Sequence, residues 1–431
     1  MNIMIPVRVL NKLKEKNEVY NFIATEKELY VRTPKEASNF KILKTSLKNP
    51  DLANAEVVIP ENPQASLTSF RLTNEGIYFI LFKNGFQNNL YHLFYGEKKA
   101  VEIELPSAAS EMSISTKGFK FSDVWIDLSG WVGDDQRYRY LHKNNGFKLE
   151  NLSTTPEYPE YTDLMVEQLM ITSHDGVKVP LSLLYKKGIE KNGENSVLFF
   201  GYGAYGRLTN SVVDSNLLLW VHEGGIFAVA HVRGGGELGD QWYKAGRKTT
   251  KPNTWKDLIA CAEYLIAENY TRSQKIAINS LSAGGILIGR AMTERPDLFA
   301  AAIPQVGLLN PLRLEKLKVS HYQVNEFGNV KDFTECMALI EMDPYLHLKA
   351  GIKYPATLVT AGMIDPMITA WVPAKFAARL QSVNASDKPI LFWANPEAGH
   401  LGNTKKQQFE TLADVLSFAL WQTGHPKYQK K

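Results

Sequence analysis

The chain carries two patterns of apolar and polar positions, and one gives way to the other near residue 158. In the first part, short runs of aromatic and β-branched residues alternate with polar ones between clusters of Asn, Gly, Lys and Asp, as in strands and hairpins. ELYVR (28–32) with FKILKTSL (40–47) forms one such group. GIYFILF (76–82), NLYHLFYG (89–96) and AVEIELP (100–106) form a second, and DVWIDLS (123–129) with YRYLHK (138–143) a third. The aromatic pairs recur every ~45–50 residues, a spacing that fits the blades of a β-propeller. An irregular β-sandwich is the alternative. YPEYTDLMVE (158–167) reads as a connector. Residues 1–157 are therefore expected to form a partial, all-β propeller of about three blades, and residues 158–431 a second domain.

Beyond the connector, strands alternate with helices. MITSHDGVKVPLSLLY (170–185) reads as a hairpin around Asp175-Gly176. NSVLFFGYG (195–203) and IFAVAHVRGGG (226–236) are near-continuous apolar runs ending in glycines, as expected of strands buried on both faces. DLIACAEYLIAEN (257–269) has the apolar spacing of a helix. KIAINS (275–280) is a strand, ILIGRAMTERP (286–296) a helix and LFAAAIPQVG (298–307) a strand. YPATLVTAGMID (354–365), FAARLQSV (376–383), PILFWAN (389–395) and FETLADVLSFALWQT (409–423) continue the alternation. This repetition predicts an α/β fold with a doubly wound, mostly parallel sheet. Such sheets carry their chemistry at the carboxyl ends of the strands.

Composition narrows the function without choosing it. A length of 431 residues favours two domains. The apolar fraction of 44% and charged fraction of 22% are those of an ordinary globular chain. A net charge of +4 gives no reason to expect a nucleic-acid partner. Cys261 and Cys336 stand alone, which argues against a disulfide framework or a metal site and for two buried thiols. No apolar run approaches the ~18 residues of a membrane span, and the first residues lack a signal-peptide apolar region. The expectation is a cytoplasmic location as written, or a periplasmic or secreted one if the true N-terminus is missing. No cofactor is implied, and no feature specifies an oligomeric state.

The chemistry concentrates at IAINSLSAGGI (276–286), a strand running into a tight turn and a helix. A serine on such an elbow has its Oγ lifted above the sheet, and the residues two before and two after it must be small. With Ser282 as nucleophile these are Ser280 and Gly284; with Ser280, the earlier position would be the bulky Ile278. Ser282 is the choice. A serine hydroxyl needs a base to take its proton and an acid to orient that base. In this fold they follow in the order acid, then histidine. LVTAGMIDPMI places Asp365 just beyond a strand, and LFWANPEAGHLG places His400 in a loop of small residues beyond another. The oxyanion of the tetrahedral intermediate needs two donors. The backbone N–H of Ala283 is one candidate, and GYGAYG (201–206) offers Tyr202 or a glycine N–H as the other.

GYGAYG, AVAHVRGGGELGDQWYKAGR, SAGG, ERPDLFAAAIPQVG, the strand ending in Asp365-Pro366, and AGH together resemble the prolyl oligopeptidase family of serine peptidases, over about residues 165–425. The resemblance implies an α/β-hydrolase domain capped by a β-propeller that restricts access to short peptides. It implies Ser282, Asp365 and His400 as the triad and the Tyr202 hydroxyl as the second oxyanion donor. It assigns Tyr205 and Leu308 to the first specificity pocket, which would then be apolar or mixed. RGGGE (233–237) matches a family hallmark that shapes a loop near the site, with Arg233 structural rather than catalytic.

Some positions depart from the family pattern. The arginine that holds the substrate backbone, two residues beyond the acid, is Met367 here. The proline-stacking tryptophan appears as Gln323, so strict proline specificity is not expected. The paired glutamates of oligopeptidase B appear as Gln323 and Asn325. Glu326 remains, which leaves open a preference for basic residues. Three blades are too few to close a propeller ring, so the chain is expected to be a fragment or a hydrolase with a partial cap. The expected function is a serine-type oligopeptidase acting through an acyl-enzyme on short peptides. The alternatives are an esterase or acylaminoacyl hydrolase on the same triad, and a catalytically impaired remnant acting as a binding module.

Overall fold

The computed structural model describes residues 19–131, 135–150, 162–212, 215–318, 320–402 and 404–429. They fall into two units, one carrying the first twelve strands together with Glu237–Gln241, the other carrying the remaining eight strands. The junction expected at 157/158 lies outside the described residues.

The first unit is three antiparallel sheets of four strands each, the blades of a partial β-propeller. The first holds β1 (Asn21–Ala24), β2 (Glu28–Thr33), β3 (Lys41–Ser46) and β4 (Glu56–Ile59). The second holds β5 (Ala65–Leu72), β6 (Gly76–Lys83), β7 (Gln87–Phe94) and β8 (Val101–Ile103). The third holds β9 (Glu111–Thr116), β10 (Val124–Ser129), β11 (Gln136–Leu141) and β12 (Gly146–Leu149). In each, the expected strands form, and more polar ones beside them complete the sheet. β9 (EMSIST) buries only Met112 and Ile114, so its period-two signal is too short to read alone.

β6 explains how the blades stack. Its Ile77, Phe79 and Leu81 join a core with Tyr30, Phe40 and Ile42 of the first blade. Its Tyr78 and Ile80 face the other way, into a core with Ile114, Val124 and Ile126 of the third. A strand packed on both faces must be apolar throughout, and GIYFILF is. β10, by contrast, alternates Val124, Ile126 and Leu128 inward with Trp125, Asp127 and Ser129 on the more open face.

The second unit is an eight-stranded sheet in the order β13-β14-β16-β15-β17-β18-β19-β20. Its strands are β13 (Leu164–Thr172), β14 (Lys178–Lys186), β15 (Val197–Phe200), β16 (Ile226–Ala230), β17 (Ile276–Leu281), β18 (Ala301–Gln305), β19 (Ala356–Gly362) and β20 (Ile390–Asn395). β13 is antiparallel to β14 and β14 to β16; every later pairing is parallel. β13 begins at Leu164, so the end of the segment read as a connector is strand. Helices Pro252–Ala267, Gly285–Glu294, Trp371–Val383 and Lys405–Gln422 cover the sheet, as in an α/β-hydrolase. The last starts earlier than its apolar spacing suggests. Thr404 caps it, its side chain accepting the Gln407 N–H while the Gln407 side chain reaches back to the Thr404 N–H. Cys261 is buried on the helix Pro252–Ala267, but Cys336 is only half-buried, at variance with the expectation of two buried thiols.

Candidate active site

Strand order brings the candidate residues together before any side chain is considered. β15 and β17 are parallel neighbours, with Phe200 opposite Asn279. The segments leaving them, beginning at Gly201 and at Ser282, therefore emerge side by side. This is where the strand order reverses direction, the crevice in which doubly wound sheets bind ligands. β18 lies beside β17, and the chain beyond it returns the Leu308 N–H to the Ser282 carbonyl at 2.8 Å. β19 pairs with β20, with Gly362 opposite Asn395, so the loops carrying Asp365 and His400 also emerge as neighbours. Gly362 must be glycine, because a Cβ there would fall 2.0 Å from the Gly399 carbonyl oxygen, next to His400.

Ser282 sits on the elbow with φ +55°, a left-handed conformation that costs a non-glycine residue about 1–3 kcal/mol. Its surroundings hold it there. The Leu308 N–H takes its carbonyl, and Gly284 leaves room that a Cβ would fill, 1.9 Å from the Ser280 Oγ. Ser280 is fully buried, and its hydroxyl donates to the Gly201 carbonyl at 2.5 Å. The serine at the position of the consensus glycine thus ties the elbow to the Tyr202 loop. Ser282 is buried, retaining 9% exposure, and Tyr202 is buried on the loop beside it. Burial raises the Tyr202 phenol above its ordinary pKa, which keeps it protonated as a donor. Ala283 follows in the short turn that leads into the helix Gly285–Glu294.

Asp365 is buried, and both its carboxylate oxygens are engaged. Oδ1 accepts the backbone N–H groups of Met367 (2.7 Å) and Ile368 (3.0 Å). Oδ2 accepts from His400 Nδ1 at 2.6 Å. A carboxylate cannot donate, so the proton of the neutral imidazole is on Nδ1 and the free lone pair on Nε2. Leu308 is fully buried, and Tyr205 is half-buried with its ring 6.5 Å from that of Tyr202. Gln323 is buried on the helix Ser320–Phe327, and its Oε1 finds no hydrogen-bond partner among the described residues.

The glycine-rich loop after β16 has the supporting role expected of it. The Gly206 N–H donates to the Gly234 carbonyl and the Gly236 N–H to that of Arg207. A Cβ on Gly234, at φ +97°, would fall 2.1 Å from the Gly203 oxygen. Arg233 is 3% exposed and gripped by two carboxylates, Asp257 through Nε and Nη2 (2.9 and 2.7 Å) and Asp175 through Nη1 (2.5 Å). Arg233→Met is expected to destabilise the catalytic unit by ~3–5 kcal/mol, because it leaves Asp257 buried without its cation. A urea unfolding midpoint equal to that of the wild type contradicts this.

Two residues take roles that the sequence did not suggest. Glu326, left open as a binder of basic side chains, is 3% exposed, and its oxygens accept from the Tyr205 N–H (2.7 Å) and the Tyr243 hydroxyl (2.5 Å). It is committed inside the protein. Lys251 is buried and donates from Nζ to the Gly203 carbonyl. It lies between Thr250 and Pro252, and no periodicity marks it. A cavity of about 470 Å³, with His400, Leu281, Asn279, Gln305, Trp393 and Arg207 among its walls, opens at the same ends of the strands. No cluster of three or more metal-binding side chains occurs among the described residues. Nor is any helix among them long and apolar enough to cross a membrane.

Residues 211–426 match the profile described as the prolyl oligopeptidase family, and residues 6–145 match that of the prolyl oligopeptidase N-terminal β-propeller domain. The chain belongs to the prolyl oligopeptidase family. It is 30% identical over 398 residues to a prolyl endopeptidase of Elizabethkingia meningoseptica, covering 92% of this chain and 56% of that one. It is 28% identical over 423 residues to Protease 2 of Moraxella lacunata, covering 95% and 60%. Among solved structures, a prolyl endopeptidase analysed for inter-domain dynamics superposes with a TM-score of 0.87 at 28% identity, over 93% of this chain and 59% of that one. Prolyl oligopeptidase B of Galerina marginata, bound to a 35-residue hydrolysis and macrocyclization substrate, gives 0.85 at 26% identity, over 94% and 58%. The chain thus spans somewhat over half the length of these relatives.

Proposed function

We propose that this member of the family is a serine-type oligopeptidase that cleaves short peptides through an acyl-enzyme. The observation that carries this reading is the His400 Nδ1 held on the buried Asp365 carboxylate, at the same ends of the sheet as the elbow that carries Ser282. Ser282 Oγ attacks the scissile carbonyl carbon while His400 Nε2 takes its proton. The developing oxyanion receives hydrogen bonds from the Tyr202 hydroxyl and the Ala283 N–H. Collapse breaks the C–N bond, and His400 returns the proton to the leaving amine. Water then repeats the sequence on the acyl-enzyme and releases Ser282. Asp365 holds the imidazole tautomer throughout. Tyr205, Leu308 and Gln323 belong to the first specificity pocket, Gln323 through a side chain that is buried in this structure. The triad, both donors and the three pocket residues share the catalytic domain, residues 158–431.

One observation favours ester substrates alongside peptides. Met367 stands 43% exposed beside Asp365, where a guanidinium would anchor a peptide carbonyl. A weaker backbone anchor handicaps peptides more than activated esters. Both a fluorophosphonate probe and a pair of substrates, peptide anilides and p-nitrophenyl esters, test the reading. Labelling and turnover of both substrates are expected. Ester turnover with no peptide cleavage selects the esterase or acylaminoacyl hydrolase. A folded protein that takes no label is the impaired remnant.

A further inference from the structure

We propose that Lys251 and Glu326 are positioning residues that clamp the Tyr202 loop from opposite sides and hold its hydroxyl on the oxyanion. The proposal rests on the assignment of Tyr202 and Ser282 above. The loop is costly to hold by itself. Gly203, Tyr205 and Gly206 all have left-handed φ, at +67°, +61° and +61°. A tyrosine in that region is strained by about 1–3 kcal/mol, and loops of this kind persist only where the surroundings fix them.

Two buried charges of opposite sign do so at neighbouring peptide groups. The Lys251 ammonium donates to the Gly203 carbonyl, immediately after Tyr202. The Glu326 carboxylate accepts the Tyr205 N–H at 2.7 Å. A cation on a carbonyl and an anion on an N–H are the charge-assisted form of each bond, about twice as strong as the neutral form. The same residues are braced together. Lys251 Nζ lies 5.5 Å from the centre of the Phe327 ring, and Phe327 meets Tyr205 edge to face at 5.7 Å. Tyr243 donates to the other Glu326 oxygen, and Arg247 Nε lies 3.8 Å from it. Arg233, on the adjoining glycine-rich loop, is neutralised by Asp175 and Asp257. Neither Lys251 nor Glu326 belongs to the proposed triad, yet each bonds to the backbone within three residues of Tyr202.

The clamp also carries a titration. Burial pulls the Lys251 ammonium down to about 8, and only Glu326 opposes that shift. In the unfolded chain a lysine titrates near ~10.4. The folded protein therefore loses this proton first as the pH rises above about 8. The stability contribution of the group rises across that window, while its grip on Gly203 weakens. Activity and stability are thus expected to move in opposite directions.

The test uses the full chain, a p-nitrophenyl ester and a fluorophosphonate probe, with thermal melting as the folding control. Lys251→Met is expected to lower kcat by about 10–100-fold with KM within about threefold. Combined with Tyr202→Phe, it is expected to add less than about threefold to the loss from Tyr202→Phe alone, since both act through one hydroxyl. Glu326→Gln keeps an acceptor for the Tyr205 N–H but removes the charge that sustains Lys251. The fall of kcat with rising pH is therefore expected to begin at lower pH than in the wild type. Full kcat in a folded Lys251→Met protein, or losses that multiply with that of Tyr202→Phe, overturn the clamp. If Lys251→Met does not fold, the pH profile decides: a wild-type kcat that stays flat between about pH 7 and 10, unmoved by Glu326→Gln, overturns it too. A folded wild type that takes no label is the impaired remnant instead, and the clamp's catalytic role falls with the proposed activity.

Discussion

Ser282→Ala is expected to abolish fluorophosphonate labelling and to lower kcat for ester or peptide hydrolysis by up to ~10⁶-fold. No neighbouring hydroxyl can take over. Ser280 is fully buried with its hydroxyl donated to the Gly201 carbonyl, and it lies before the elbow rather than on it. The proposed Tyr202 and Ala283 donors remain, so hydrolysis is expected to stay ~10³–10⁴-fold above the uncatalysed rate. Folding should be nearly untouched, within about 1 kcal/mol, because the substitution removes one hydroxyl and leaves the backbone bond from Leu308 in place. The measurement is labelling and turnover beside a melting curve. Ser280→Ala serves as the comparison, expected to label. Labelling of a folded Ser282→Ala protein at the wild-type rate removes Ser282 from the mechanism.

The second large effect is expected at the acid. Asp365→Asn should lower kcat by ~10⁴-fold with little change in the fold. The reason lies in how the carboxylate is used. One oxygen accepts two backbone N–H groups, from Met367 and Ile368, so an asparagine will turn its single carbonyl oxygen towards them. Its NH₂ then faces the His400 Nδ1, which must become the acceptor, and the imidazole proton moves to Nε2. An Nε2–H cannot take the Ser282 proton. The loss should therefore fall on kcat and kcat/KM together. A loss smaller than about tenfold, with the asparagine folded, shows that Asp365 does not set the tautomer.

How far the sequence reached depends on whether a residue's partners were local. The elbow, the two strand-end loops and the order of their residues could be read because each is a local pattern, and strand pairing then converted sequence order into adjacency. The propeller strands with strong alternation, such as β10, were equally legible. β9, β4 and β12 were not, since each contributes a short or polar edge to a sheet whose other strands supply the core. Thr404 was passed over because a cap leaves no apolar trace. Glu326 was visible, but its hydrogen-bond partners were not, because Tyr205 and Tyr243 lie 121 and 83 residues away in the chain. Lys251 gave no signal at all, for a lysine before a helix normally reads as solvated surface.

The two-faced burial of β6 bears on how the N-terminal unit comes apart. Each outer blade shares one core with the middle blade, whereas the middle blade participates in both. Among the three described blades, the middle one is thus the neighbour that the other two share. The middle blade is the keystone of this row: deleting an outer blade removes one seam, while deleting the middle one dissolves both.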